Sequence, residues 1–336
     1  MEMRKLGNLW PVSALTLGGG GLGQIWGETT REEAVATVHM AVDNGITLLD
    51  LAPMYGRGES ENVIGAAFEG KWPEGIRVTT KCMIGSRFFG GIYERLETSL
   101  LRSLESLRRD HVDLFFSHSN ICPDGYVYHG EADYQAFATV PLSVYENELV
   151  PAFEKLKAKG LIGDWGITGT GLPRTVMEVM RGDQKPAVVQ AITNLMDSAG
   201  GIRRYEEPAE PRNIIRTAKN NGVGVMGIRA VQAGALTHAI DRPMPDDDPD
   251  MKDYVKAAPY RVLAAELGED PAELAHAYAL AMEGVDTLVL GVKNRAELEA
   301  ALKIEAKGPL DPAIVKRIDD LGLRRQVPRI PLDAPL

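Results

Sequence analysis

The sequence predicts an α/β fold, a single (β/α)8 TIM barrel, and three observations carry that expectation. Eight short apolar runs alternate with helix-like stretches, the pattern of a parallel sheet with helical crossovers. Eight units in 336 residues leave about 40 residues each, room for one strand, one helix and their loops. Three consecutive runs also stop at a polar residue: Ile46-Thr47-Leu48-Leu49-Asp50, Ile76-Arg77-Val78-Thr79-Thr80-Lys81 and Val112-Asp113-Leu114-Phe115-Phe116-Ser117-His118. In such barrels the chemistry sits at the C-terminal ends of the strands.

In chain order, residues 3–13 read as a β-hairpin that covers the bottom of the barrel. Strands follow near 14–18, 46–50, 76–81, 112–118, 162–167, 187–192, 223–228 and 286–291. Helical patterns lie near 30–44, 59–70, 92–108, 144–160, 172–181, 210–221, 251–282 in two pieces, and 294–304. Thr29 or Thr30 can cap the first helix, with Glu32 and Glu33 in its first turn. Gly45 and Gly160 fall just past helix ends, where a left-handed residue is wanted. No Pro/Gly/Ser linker divides the chain, so residues 1–336 read as one domain, with the barrel over 14–304 and a tail over 305–336.

Two connections are too long to be mere turns. Residues 119–142 hold Tyr126, Tyr128, Tyr134 and Phe137; residues 229–250 are acidic and proline-rich and read as a solvated loop. Both follow strands, so both are expected to overhang the C-terminal face.

A net charge of -10 argues against a nucleic-acid surface and excludes no small-molecule substrate. No run approaches the length of a membrane span, and the N-terminus leads into no apolar signal segment. Cys82 and Cys122 are too few for a disulfide framework, which points to a reducing cytoplasm, and neither lies in a CxxC pair. The oligomeric state is open.

Tyr55 follows Asp50 by five residues and can join the strand-end group. A tyrosine beside an ammonium gives up its proton more readily, because the positive charge stabilises phenolate. Asp50 would hold Lys81 charged and His118 would hydrogen-bond a substrate oxygen, which is general acid–base catalysis at a carbonyl with Tyr55 as the acid/base. A metal held by Asp50 and His118 is the rival reading; Lys81 argues against it, since an ammonium repels a cation and offers no lone pair. The string Gly18-Gly19-Gly20-Gly21-Leu22-Gly23 matches GxGxxG after a strand, but Gln24-Ile25-Trp26-Gly27-Glu28 separates it from the next helix. It therefore reads as a barrel loop whose backbone must approach a ligand closely, with Gly20 a cofactor-binding candidate.

Leu49-Asp50-Leu51-Ala52-Pro53-Met54-Tyr55-Gly56-Arg57-Gly58-Glu59-Ser60-Glu61-Asn62-Val63-Ile64-Gly65 resembles the D-T-A-x-x-Y-G-x-G-x-S-E-x-x-L-G signature of the aldo-keto reductases. Val78–Lys81, Val112–His118 and Lys159–Thr168 resemble that family's lysine, histidine and fifth strands. The resemblance spans roughly 3–304 and implies a catalytic tetrad of Asp50, Tyr55, Lys81 and His118. It implies reversible hydride transfer between a nicotinamide coenzyme and an aldehyde, ketone or sugar-like carbonyl or alcohol.

For the coenzyme it implies contacts at Thr168, Gln190, Ile228, Arg229, Gly291, Lys293, Arg295 and Glu297. Thr168-Gly169 replaces the family's Ser-Asn, and Ile228 an aromatic that stacks on nicotinamide. In the loop where the resemblance places the adenosine phosphate, Lys293 and Arg295 stand against Glu297, and two cations against one anion favour NADP(H), with NAD(H) the alternative. The departures at Gly169 and Ile228 also allow a nucleotide-binding regulatory or partner-binding subunit with little turnover.

Overall fold

The computed structural model describes residues 1–128 and 132–331. An antiparallel hairpin, β1 (Met3–Lys5) and β2 (Pro11–Ser13), precedes the barrel. Eight parallel strands then close on themselves: β3 (Leu15–Gly18), β4 (Leu48–Asp50), β5 (Arg77–Cys82), β6 (Val112–Ser117), β9 (Ile162–Thr168), β10 (Val188–Ile192), β11 (Gly224–Ile228) and β12 (Thr287–Leu290), with β12 paired back to β3. Each begins and ends within two residues of its expected span. The missing numbers, β7 (Asn120–Cys122) and β8 (Thr139–Pro141), pair in parallel within the 119–142 connection.

The hairpin closes the barrel floor, as its apolar residues require. Leu6 and Val12 are fully buried against the inward-facing Leu48, Leu114, Phe116, Val188 and Met226. The hairpin turn at Gly7 has φ +52° and lies so close to β11 that a Cβ there would stand 2.3 Å from the Gly224 nitrogen. A second, larger apolar layer fills the space between barrel and helices.

The helices follow the capping signals. Thr30 Oγ1 accepts from Glu33 N at 3.2 Å at the start of Arg31–Asp43. Gly45 and Gly160 adopt φ +84° and +74°. The helical run from Leu142 to Ala158 contains a wider π-helical stretch over Tyr145–Leu149, just before Pro151. Pro151 has no N–H for the preceding turn, and a wider turn accommodates its ring.

Two expectations change. The region expected as two helices forms three, Pro249–Lys256, Ala258–Leu267 and Pro271–Ala281. Each starts at or one residue before a proline, the residue tolerated in a first turn and not later. The tail carries a helix, Pro312–Asp320, capped by Asp311 and anchored by buried Ile318. Asp311 before Pro312, an aspartate cap followed by proline in the first turn, starts this helix; residues 332–336 of the tail lie outside the described residues.

Of the 119–142 connection, residues 129–131 lie outside the described residues. Tyr126, Tyr128 and Tyr134 form an edge-to-face cluster with ring centroids 4.8 and 5.6 Å apart. The 229–250 connection is tied at its root by Arg229 to Asp250 at 2.5 Å and by Arg242 Nη2 to the Ala233 carbonyl at 2.9 Å, while Asp246 and Asp247 are exposed. Among the described residues, no helix is long and apolar enough to cross a membrane.

Candidate active site

The barrel register brings the expected four residues to one end. Asp50 is the last residue of β4 and pairs with Thr79 of β5. Lys81 lies two residues beyond Thr79, so it points to the same inner side, one layer higher. His118 follows β6 immediately, its N–H bonded to the Cys82 carbonyl at 2.8 Å. Tyr55 sits in the turn after β4, its N–H bonded to the Ala52 carbonyl at 3.0 Å.

Asp50 and Lys81 are buried, at 2% and 0% exposure. Asp50 Oδ2 accepts from Lys81 Nζ at 2.8 Å, and Oδ1 accepts from Thr79 Oγ1 at 2.6 Å and Gln190 Nε2 at 2.8 Å. Lys81 gives a second hydrogen bond to the Leu51 carbonyl at 2.8 Å. Its remaining donor is free for Tyr55, whose ring centroid is 4.8 Å from Nζ. Tyr55 and His118 meet edge to face with centroids 5.8 Å apart. Both are only partly buried and face the barrel mouth, unlike the buried ion pair beneath them.

Each charge state has a physical cause. Burial opposes the Lys81 ammonium, but the Asp50 carboxylate outweighs it and its pKa is raised. Burial, with a smaller contribution from Lys81, drives His118 down to about 3. The imidazole is therefore neutral at physiological pH and can donate from one nitrogen. At Tyr55 desolvation reverses the direction expected from Lys81 alone. Burial raises its pKa more than the Lys81 charge lowers it, and Asp50 adds to the rise, so the net direction is up. Without ligand, Tyr55 is held as a protonated phenol, the form that can donate.

The His118 shift makes a prediction. A His depressed in the folded state favours folding above its unfolded pKa of about 6.5, and that stability is lost as pH falls toward the folded value. An NMR titration should show no protonation of His118 between about pH 5 and 8. A midpoint near 6.5 would mean that the imidazole is solvated rather than desolvated against Lys81.

The glycine-rich segment also departs from expectation. Gly19–Leu22 forms one helical turn. A Cβ at Gly21 would lie 2.0 Å from the Val292 carbonyl oxygen, at Gly18 2.3 Å from that of Leu290, and at Gly20 2.6 Å from Trp26 Nε1. At Gly23 it would lie 2.7 Å from the Tyr55 carbonyl. The close approach these glycines permit is to the end of β12, to Trp26 and to the tyrosine turn, so they position protein backbone.

The other expected coenzyme residues line the same end. Thr168 Oγ1 donates to the Ser117 carbonyl at 3.3 Å. Gly169 is required by packing, since a Cβ would stand 2.7 Å from Val189 Cγ2 and 2.9 Å from the Gln190 carbonyl oxygen. Gln190, expected at the coenzyme, reaches across the barrel to Asp50. Ile228 ends β11 half-buried. Arg229 follows with φ +60° and turns toward Asp250 and Gln232, its side chain 9% exposed. Gly291 packs on Trp26, and Lys293, Arg295 and Glu297 cluster at the start of helix Arg295–Lys307.

Three further residues contact the expected ones: Thr79, Glu33 and Asp241. Thr79 had an inward-facing signal, two residues before Lys81. Glu33 and Asp241, which pair with Arg295 and Lys293, lie far away in the chain and gave no local signal. Among the described residues, no three of His, Cys, Asp and Glu gather as a metal site.

The chain matches the model of the Aldo/keto reductase family over residues 14–322. It is 28% identical over 315 residues to the L-galactose dehydrogenase of Arabidopsis thaliana, covering 92% of this chain and 90% of that protein. It is 25% identical over 301 residues to aldo-keto reductase YhdN of Bacillus subtilis strain 168, covering 84% and 81%. Its fold is similar to that of the holo form of aldo-keto reductase AKR11C1 from Bacillus halodurans, with a TM-score of 0.68, 22% identity and 96% of each chain covered.

Proposed function

The chain belongs to the aldo/keto reductase family, and from that premise we propose that it is an oxidoreductase that uses a nicotinamide coenzyme, with Tyr55 as its general acid and base. The observation that carries this reading is the buried Lys81–Asp50 pair beneath a phenol and a neutral imidazole that reach the mouth. A pair fixed by Thr79, Gln190 and the Leu51 carbonyl has no evident structural need for a tyrosine above it. It does supply a fixed positive charge at the point where a phenol must lose a proton.

The residues present fit a nicotinamide coenzyme. Thr168 keeps lone pairs for a carboxamide N–H after donating to Ser117. Ile228 offers an apolar flank for a ring face, and Arg229, Gly291, Lys293, Arg295 and Glu297 lie at the ends of β11 and β12 for the nucleotide part. Gly20 backs the same end through Trp26. The bound coenzyme supplies or accepts the hydride.

The chain's own groups handle the proton. In reduction Tyr55 Oη gives its proton to the forming alkoxide while neutral His118 donates a hydrogen bond to the same oxygen. In oxidation Tyr55 takes the alcohol proton. Lys81 stabilises the phenolate left behind, and Asp50 holds Lys81 charged.

The substrate class we propose is an aldehyde, ketone or sugar-like carbonyl or alcohol, with sugars placed first because of the dehydrogenase relative from A. thaliana. The test is a nicotinamide-fluorescence titration with NADH and NADPH, followed by turnover on a panel of sugars, aldehydes and ketones. Coenzyme binding with steady turnover is expected. Tight coenzyme binding with no turnover on any member would favour the non-catalytic subunit reading that Gly169 and Ile228 permit.

A further inference from the structure

The start of helix Arg295–Lys307 is already occupied by the protein's own carboxylates. Lys293 Nζ is paired with Glu297 and, at 3.3 Å, with Asp241. The Arg295 guanidinium is paired with Glu33 at 2.9 Å. Three backbone donors are taken as well. Lys293 N gives to Glu297 Oε2 at 3.0 Å, Arg295 N to Glu33 Oε1 at 2.9 Å, and Glu297 N to Asn294 Oδ1 at 2.9 Å.

These contacts change the charge at the place where the resemblance puts the adenosine end. The sequence shows Lys293 and Arg295 against Glu297 alone, and that count favoured NADP(H). The fold brings in Glu33, from helix Arg31–Asp43, and Asp241, from the 229–250 connection. With Arg242, which pairs with Asp241 at 3.6 Å, three cations now face three carboxylates, a local sum of zero in place of the +1 read from the sequence. The hydrogen bonds from Arg295 hold the Glu33 carboxyl below its usual range, so it is ionised at neutral pH.

A 2′-phosphate brought here meets no net positive charge, cations already paired with carboxylates and three backbone N–H groups already bonded. It gains the strong charge-assisted contacts of a phosphate site only by displacing Glu33 or Glu297. A ribose 2′-hydroxyl has the opposite requirement: it donates a proton, and a carboxylate accepts it. We infer that this protein takes NAD(H) in preference to NADP(H), and that Glu297, Glu33 and Asp241 enforce the choice by neutralising Lys293 and Arg295. The inference rests on the nicotinamide-coenzyme reading of the site.

The test is binding rather than turnover: fluorescence titration of the full chain with NADH and with NADPH. NADH should bind about tenfold tighter or more, the scale set by one uncompensated charge contact. Glu33→Gln and Glu297→Gln should each narrow the gap by strengthening NADPH binding severalfold. Glu297 also serves the helix start, so Asp241→Asn, on a half-exposed side chain outside the helix, is the companion variant and should act in the same direction. Equal or tighter NADPH binding by the unmutated protein overturns the inference while leaving the oxidoreductase reading intact. NADPH affinity unchanged in all three variants overturns the assignment to these carboxylates. Failure of both coenzymes to bind overturns the inference together with the reading beneath it.

Discussion

Tyr55→Phe should lower turnover by on the order of a hundredfold or more, the scale of a lost general acid–base group. The substitution removes one O–H. The ring stays, and with it the edge-to-face contact to His118 at 5.8 Å and the Lys81 contact at 4.8 Å. Folding stability and coenzyme affinity should therefore change little, which separates this outcome from a general collapse of the site. The direction of the Tyr55 pKa adds a pH signature. Burial holds the phenol protonated across the neutral range, so the reductive reaction should show no loss of its proton donor there. The oxidative reaction needs phenolate, so its rate should climb toward alkaline pH in the unmutated protein and lose that climb in the variant. Turnover near that of the unmutated protein would remove Tyr55 from the mechanism.

The barrel was legible because its signals are local and repeated. A strand such as Val112–Ser117 announces itself by a run of apolar and aromatic residues, and a helix such as Arg31–Asp43 by Thr30 before it and Gly45 after it. The gathering of the candidate residues was legible for a related reason: position at a strand's C-terminal end is a one-dimensional property, and parallel register then places Asp50, Lys81 and His118 at one end. What failed was anything set by distance in the chain. Gln190 reached Asp50 across the barrel, and Glu33 met Arg295 across 262 residues. The sign of the Tyr55 shift failed for another reason. It is the balance between a pairwise attraction, which Lys81 announces in the sequence, and desolvation, which depends on the enclosing wall. The glycine-rich segment announces close backbone approach, and the fold supplies its protein neighbours, Val292, Leu290, Trp26 and the Tyr55 turn.

Lys81→Met tests the part of the site that the fold protects most. It removes the ammonium while keeping a stem of similar length, and it leaves Asp50, 2% exposed, with Thr79 and Gln190 as donors but without a counter-charge. Breaking a buried pair from one side costs about 3–5 kcal/mol; the two remaining donors place the expected loss at the lower end. The pH dependence follows from the sign of the shift. The folded-state pKa of Lys81 is raised, so its stabilisation is complete below the unfolded value of about 10.4 and is lost only as pH rises through the higher folded value. The stability gap between the two proteins should therefore stay level through neutral pH and close in the alkaline range, as denaturant melts at several pH values would show. Activity should fall more steeply than stability, because Lys81 is also the group that lowers the cost of ionising Tyr55 against its burial. Without it, any residual alcohol oxidation should require higher pH than in the unmutated protein. Full activity with an unchanged pH–rate profile would mean that the ion pair serves the fold alone, and that Tyr55 draws its reactivity from elsewhere.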